Sequence, residues 1–217
     1  MNDVINEVKT KDYRVELDFE YHAEDPRIWD NNSTMICSHG SYELGDIQGQ
    51  GNLGGWMDEL IVALINAYDV EIEEHYKELT EDEVEELLDK TVYLPLYLYD
   101  HSGITMNTTG FHSRWDSGQV GWIFMTEEQV DELEGDYFEK RKKAKELLKS
   151  QVATYDKYIS GQVYRVSIYK RNKCECCGKY EEEYFDSCGG LYDISTDYLT
   201  SFFGNEFEDL LTELLNF

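Results

Sequence analysis

Two hydrophobic periods alternate along this chain. The period of two is clearest at 13–21, YRVELDFEY. Tyr13, Val15, Leu17, Phe19 and Tyr21 fall on one side, and Arg14, Glu16, Asp18 and Glu20 on the other, which predicts a strand with one apolar face. On that reading the three carboxylates point into solvent, about 6–7 Å apart. The densest apolar run, 93–99, is too short for a typical helix and rich in strand formers. A turn at Asp100-His101-Ser102-Gly103 ends it; 104–109 and 119–124 then continue a meander around a loop at 110–117. Pro95 donates no hydrogen bond, so it belongs at the beginning of a strand or on an outward edge. Further strands are expected at 33–37, and at 163–171 and 179–185 as a hairpin.

Helical spacing takes over elsewhere. Trp56, Leu60, Ile61, Leu64, Ile65 and Tyr68 define a core-packing helix, with Asp58 and Glu59 where the helix dipole favours them. Thr80 with Glu83, and Thr126 with Gln129, are capping-box signatures. The second opens a pattern that runs, with a break near Gly135, to about Tyr158. Two short helices close the chain at 197–203 and 206–215. The elements predict an α+β fold, a mostly antiparallel sheet with packed helices in a single compact domain over 1–217. An acidic helical insertion at about 71–90 and a Cys-rich hairpin at about 162–188 are its distinctive parts.

Charge changes this picture most. With 46 Asp+Glu against 19 Lys+Arg, the formal charge is −27. Such a field repels nucleic acid and anionic membranes and attracts basic proteins; high solubility or adaptation to salt would produce it too. Residues 71–89 concentrate it, with ten acidic residues and one lysine. Glu71, Glu73, Glu74, Glu78, Glu81, Asp82, Glu85 and Glu86 are the candidate ridge there, beside the narrow stripe of Val84, Leu87 and Leu88. The basic cluster, Lys140 to Lys145, is expected to pair internally with Asp136, Glu139 and Glu146. No stretch approaches the ~20 apolar residues of a membrane span, and the first residues lack a signal-peptide core. Five cysteines, an odd and unevenly placed set, do not read as a secreted framework. The expectation is a cytoplasmic protein.

Three constellations bear on chemistry. Cys174 and Cys177, in CECCGK, have zinc-knuckle spacing, with Cys188 eleven residues on as a further ligand; structural zinc, a reduced hairpin tip and redox chemistry are the open readings. Cys37 and His39, with Asp100 and His101, supply a thiol, imidazoles and a carboxylate, the ingredients of a nucleophilic site. A buried cysteine and hydrogen-bonded turn histidines account for them equally simply. Asp116-Ser117-Gly118 reads as an Asx-type turn. The glycine-rich stretch 43–55 lacks the Lys-Ser/Thr of a P-loop.

The segments 34–39 (TMICSH), 42–46 (YELGD), 94–105 (LPLYLYDHSGIT) and 115–121 (WDSGQVG), with weaker matches at 155–164 and 186–190, resemble a family of small proteins encoded by bacteriophages and mobile elements. The resemblance spans most of the chain and brings no catalytic assignment. It implies a role against host defences, in the manner of acidic anti-CRISPR inhibitors, while CECCGK and 71–89 stand outside the shared pattern. The resulting expectation is a non-enzymatic inhibitor of a basic nucleic-acid-binding host protein. A Cas effector nuclease such as Cas9 comes first and a restriction enzyme next. It would act through a DNA-mimic-like surface on Glu16, Asp18, Glu20 and the 71–89 ridge. A Cys/His enzyme and a zinc-stabilised adaptor are the alternatives.

Overall fold

A computed structural model describes residues 4–49, 55–68, 79–113 and 115–216. Helices and antiparallel strands are both present, as an α+β fold requires. The chain separates into two compact units, one of Met1–Glu24 with Lys157–Phe217 and one of Asp25–Asp156. Each unit has its own sheet.

The first unit holds β1 (Val4–Lys9), β2 (Tyr13–Phe19), β8 (Tyr164–Lys173) and β9 (Tyr180–Leu191), antiparallel in the order β1-β2-β8-β9. The alternation at 13–21 has its expected consequence on the apolar side. Val15, Leu17, Val166 and Ile168 lie under two helices, α5 (Thr196–Phe203) and α6 (Glu208–Leu215); Leu199, Leu211 and Leu214 of the helices, with Phe207 from the turn between them, are buried against the strands. Ser195 caps α5 by accepting from the Tyr198 N–H. Each fully buried Leu or Phe contributes about 1.5–3 kcal/mol relative to exposure. This layer therefore outweighs the repulsion among carboxylates on the opposite face.

The second unit is built on a five-stranded sheet in the order β4-β3-β7-β5-β6. Its members are β3 (Thr34–Cys37), the short β4 (Ile47–Gln48), β5 (Val92–Asp100), β6 (Ile104–Asn107) and β7 (Ser117–Met125). The three strands form where the sequence predicts them but not as a meander: β7 pairs with β5 rather than with β6, so β5 lies between the two and β7 is innermost. Pro95 faces Trp122 of β7, whereas β6 begins pairing only at Tyr97. The proline therefore sits on the stretch of β5 that has no second neighbour among the described residues, so its missing N–H leaves no gap in a ladder there. At the crossing of β3 and β7, a Cβ on Gly121 would lie 1.9 Å from the Ile36 carbonyl oxygen, so the strands meet only because glycine is there.

On one face of this sheet, Ile36, Trp122 and Phe124 pack against Leu60, Ala63 and Leu64 of α1 (Trp56–Ala67). The indole N–H of Trp122 donates to the Trp56 carbonyl at 2.6 Å. Two capped helices follow the sequence signatures: α2 (Glu81–Lys90), opened by Thr80 and Glu83, and α3 (Glu127–Asp131), opened by Thr126 and Gln129. Gly135, with φ of 124°, breaks the chain before α4 (Tyr137–Ile159). Ala144, Leu148, Val152 and Tyr155 form the buried face of α4. Polar ties fix it: Asp156 accepts from the Met106 N–H at 2.7 Å, and Tyr155 from the Gly45 N–H at 2.9 Å. Among the described residues, no helix is long and apolar enough to cross a membrane.

Candidate functional site

The carboxylates of β2 do not face solvent. Glu16 and Asp18 are 8 % and 3 % exposed, and the Glu20 side chain is nearly covered. β2 is an interior strand, and the rows across it bring cations between its acids. Arg14 pairs with Glu16 and, at 2.8 Å, with Glu182 of β9; Arg165 of β8 pairs with Glu20 at 2.5 Å. The Arg14 guanidinium also lies 4.0 Å over the Tyr169 ring. Asp18 is opposite Arg165 in register, but its buried Oδ1 has no hydrogen-bond partner among the described residues. Burial pushes the Asp18 carboxyl above its usual range, with Arg165 and Arg14 opposing. These three residues form an internal polar layer and are removed from any partner-facing surface.

The acids of α2 are disposed otherwise. Glu81, Asp82, Glu85 and Glu86 are exposed, while Val84, Leu87 and Leu88 form the half-buried stripe and Leu88 packs on the α1 cluster. Thr80 and Glu83 complete the capping box, and those contacts hold the Glu83 carboxyl below its usual range. Lys90 pairs with Glu86 at 2.5 Å. No other cation reaches the α2 acids among the described residues. Glu71, Glu73, Glu74 and Glu78 lie outside the described residues.

Four of the five cations of the basic cluster are engaged locally, three of them by backbone carbonyls rather than by neighbours on the same helix. Lys140 donates to the Asp131 carbonyl at the end of α3, Lys143 to the Glu134 carbonyl, and Arg141 to those of Asp89 and Thr91. One pair within α4, Lys142 with Glu146 at 3.9 Å, is of the expected i,i+4 kind. Arg141 thereby caps the C-terminal end of α2, where a cation is favoured.

The thiol and imidazoles are not assembled. Cys37 is fully buried, and burial pushes its thiol up to about 12, so it carries no nucleophilic thiolate at neutral pH. His39 and Asp100 instead line a surface depression of about 390 Å³ with Ser38, Trp115 and Asp116. Tyr42 stacks on His39 with ring centres 5.0 Å apart and reaches toward Asp100 at 3.5 Å. His101 stands 3.7 Å from Asp116, which also accepts from the Ser113 hydroxyl at 2.9 Å. Trp115 at the rim is 97 % exposed. Sequence reasoning gave this tryptophan no role; its signal is a large aromatic in a polar loop, with serines two residues away on either side. The depression offers an aromatic plate and carboxylates, a surface that can receive a cationic side chain.

The CECCGK segment is the tip of the β8–β9 hairpin. Gly178, with φ of 71°, lets it close; the Gly178 N–H donates to the Cys174 carbonyl at 2.8 Å, and the Cys174 N–H to the Lys179 carbonyl at 2.7 Å. The sulfurs of Cys174, Cys176 and Cys177 all lie within 4.8 Å of one another, those of Cys174 and Cys176 at 2.8 Å. The Cys176 thiol and the backbone N–H groups of Cys177 and Cys176 favour the Cys174 thiolate and bring that group down to about 7. Cys188 is elsewhere. It faces Val166 in the register, buried under α5 and α6, whereas the tip lies beyond the Lys173–Tyr180 pair. Eight residues of strand at about 3.3 Å each put it about 25 Å from the other thiols. It is a core side chain and not a ligand of that group; Cys176 takes its place.

No family profile, curated protein or solved structure matches the chain.

Proposed function

We propose that this protein is a non-enzymatic inhibitor that occupies the nucleic-acid-binding groove of a basic host defence protein. A Cas effector nuclease such as Cas9 is the first target and a restriction endonuclease the second. The observation that supports this reading is the charge on α2. Its ten residues carry six carboxylates and one lysine, net −5. A ten-residue helix is about 15 Å long, so one net charge falls every ~3 Å, close to the ~3.4 Å of a single nucleic-acid strand. A groove lined with Lys and Arg for phosphates would hold such a ridge by the same attraction and lose it as steeply with salt. Trp115 and the carboxylates beside it add a specific anchor, since exposed tryptophans are the side chains that dominate interfaces when covered. Glu16, Asp18 and Glu20 have no part in this surface.

The test is competition. Purified Cas9, then a restriction endonuclease, is titrated with the full chain, and displacement of DNA is followed at several salt concentrations. Inhibition is expected to be stoichiometric with the target rather than catalytic. Combined Glu81→Lys, Asp82→Lys, Glu85→Lys and Glu86→Lys replacement should lower affinity at low salt by at least about 100-fold and flatten the salt dependence. Unchanged affinity in that variant would remove α2 from the mechanism, and turnover at substoichiometric protein would remove the reading itself.

A further inference from the structure

We propose that the tip of the β8–β9 hairpin is a thiolate site for zinc, held by Cys174, Cys176 and Cys177 and leaving a fourth position to water or to a group from another molecule. The inference is independent of the inhibitor reading, because the tip belongs to the first unit and α2 to the second.

Three features carry it. First, three thiols converge in space, all within 4.8 Å, at an exposed turn where no apolar packing explains them. Zinc–sulfur bonds of about 2.3 Å in tetrahedral geometry require sulfurs roughly 3.8 Å apart. Cys176 must swing out by about 1 Å from Cys174 to meet this, a rotation its exposed side chain permits. Second, the turn is a knuckle. Cys174 and Cys177 have Cys-x-x-Cys-Gly spacing, Gly178 takes the left-handed conformation, and its N–H donates to the Cys174 carbonyl to close the turn. Third, the ligand type selects the ion. Clustered thiolates suit zinc and other soft ions and exclude calcium and magnesium, which take oxygen. Lys173 and Lys179 flank the turn, and three thiolates on a divalent ion leave one net negative charge beside them.

Three protein ligands and an open position distinguish this site from a closed structural one. The ladder ends at the Lys173–Tyr180 pair and the thiols lie beyond it, so the ion would tie the tip rather than the strands. The open position is where a donor from a second chain or a partner would bind.

The experiment uses the full-length reduced protein stripped of metal and titrated with Co²⁺, then displaced with Zn²⁺. Binding at about one ion per chain is expected, with the visible absorption of tetrahedral cobalt and thiolate charge transfer in the near ultraviolet. Cys174→Ser and Cys177→Ser should each weaken binding by about 100-fold or more, and Cys188→Ser by less than about twofold. The tip variants are expected to keep the far-ultraviolet spectrum of the parent, because all three side chains lie outside the core. One zinc per two chains with dimer formation would also support the site, the second chain filling the fourth position. Octahedral cobalt spectra, no binding with all thiols shown to be reduced, or equal loss in Cys188→Ser would overturn it.

Discussion

Strand β2 and helix α2 are both acidic, and the same residue types do opposite things in them. In β2 the acids are interleaved with β-strand neighbours, and Arg14 and Arg165 rise between them from the same sheet face. In α2 the acids project from a helix that buries no residue of its own, and Lys90 neutralises one of the six. The period of two correctly separated the apolar from the polar side of β2, but separation is not exposure. An interior strand can have both faces covered; a helix that uses only a narrow stripe cannot. Charge becomes a surface property only where the local fold leaves it no internal partner.

The sharpest way to break this comparison is one charge reversal in each region. Glu16→Lys would place a cation against Arg14 in a covered layer and is expected to destabilise the protein by about 3–5 kcal/mol, read as a lowered urea midpoint with an unchanged slope. Any single reversal among Glu81, Asp82 and Glu85 is expected to leave the midpoint within about 0.5 kcal/mol. Similar losses in both regions would mean that α2 is as internal as β2.

A smaller effect separates the two kinds of carboxylate by pH. Asp18 has its folded-state pKa raised, chiefly by burial. The ionised group therefore costs stability above its folded pKa, and the cost disappears as pH falls below the unfolded value near 3.9. Asp18→Asn should raise stability by about 1 kcal/mol at pH 7 and by nothing measurable at pH 3. A loss at pH 7 would show that Asp18 is satisfied by its arginine neighbours, and a gain that persists at pH 3 would show that its ionisation is not the source of the cost.

Most elements were legible because apolar spacing is local. Val15 and Leu17, Leu60 and Leu64, and the Thr80–Glu83 and Thr126–Gln129 boxes each announce their element within a few residues. What was not legible depends on partners distant in the chain. The solvent-facing reading of Glu16, Asp18 and Glu20 failed because nothing near them reveals that Arg165 lies across the strand. Cys188 was drawn to the metal-like tip by its distance along the chain, whereas the hairpin register sets it against Val166. Cys37 and His39 are two residues apart but part company where β3 ends, the thiol in the core and the imidazole at the depression. The division into two units leaves no compositional mark, since the boundary near Asp156 runs through α4 without a linker.

The gentlest perturbation asks whether α2 acts by charge alone or by charge held in a fixed array. Thr80→Ala leaves every carboxylate in place but removes the hydroxyl that accepts from the Glu83 N–H and meets the Glu83 carboxylate at 2.8 Å. Losing an N-cap of this kind costs about 1 kcal/mol of helix stability. Because Arg141 holds the far end of α2 and only a half-buried stripe holds its first turns, that loss should appear as faster amide exchange within 81–86 rather than as a lower Tm. Net charge is unchanged, so long-range attraction and the rate of encounter should be unchanged as well. If the acids work as an ordered row, fraying the first turn should accelerate dissociation from the target by a few-fold while association stays constant. Equal dissociation rates despite faster exchange would mean that the groove reads a diffuse field, and the spacing along α2 would then carry no information.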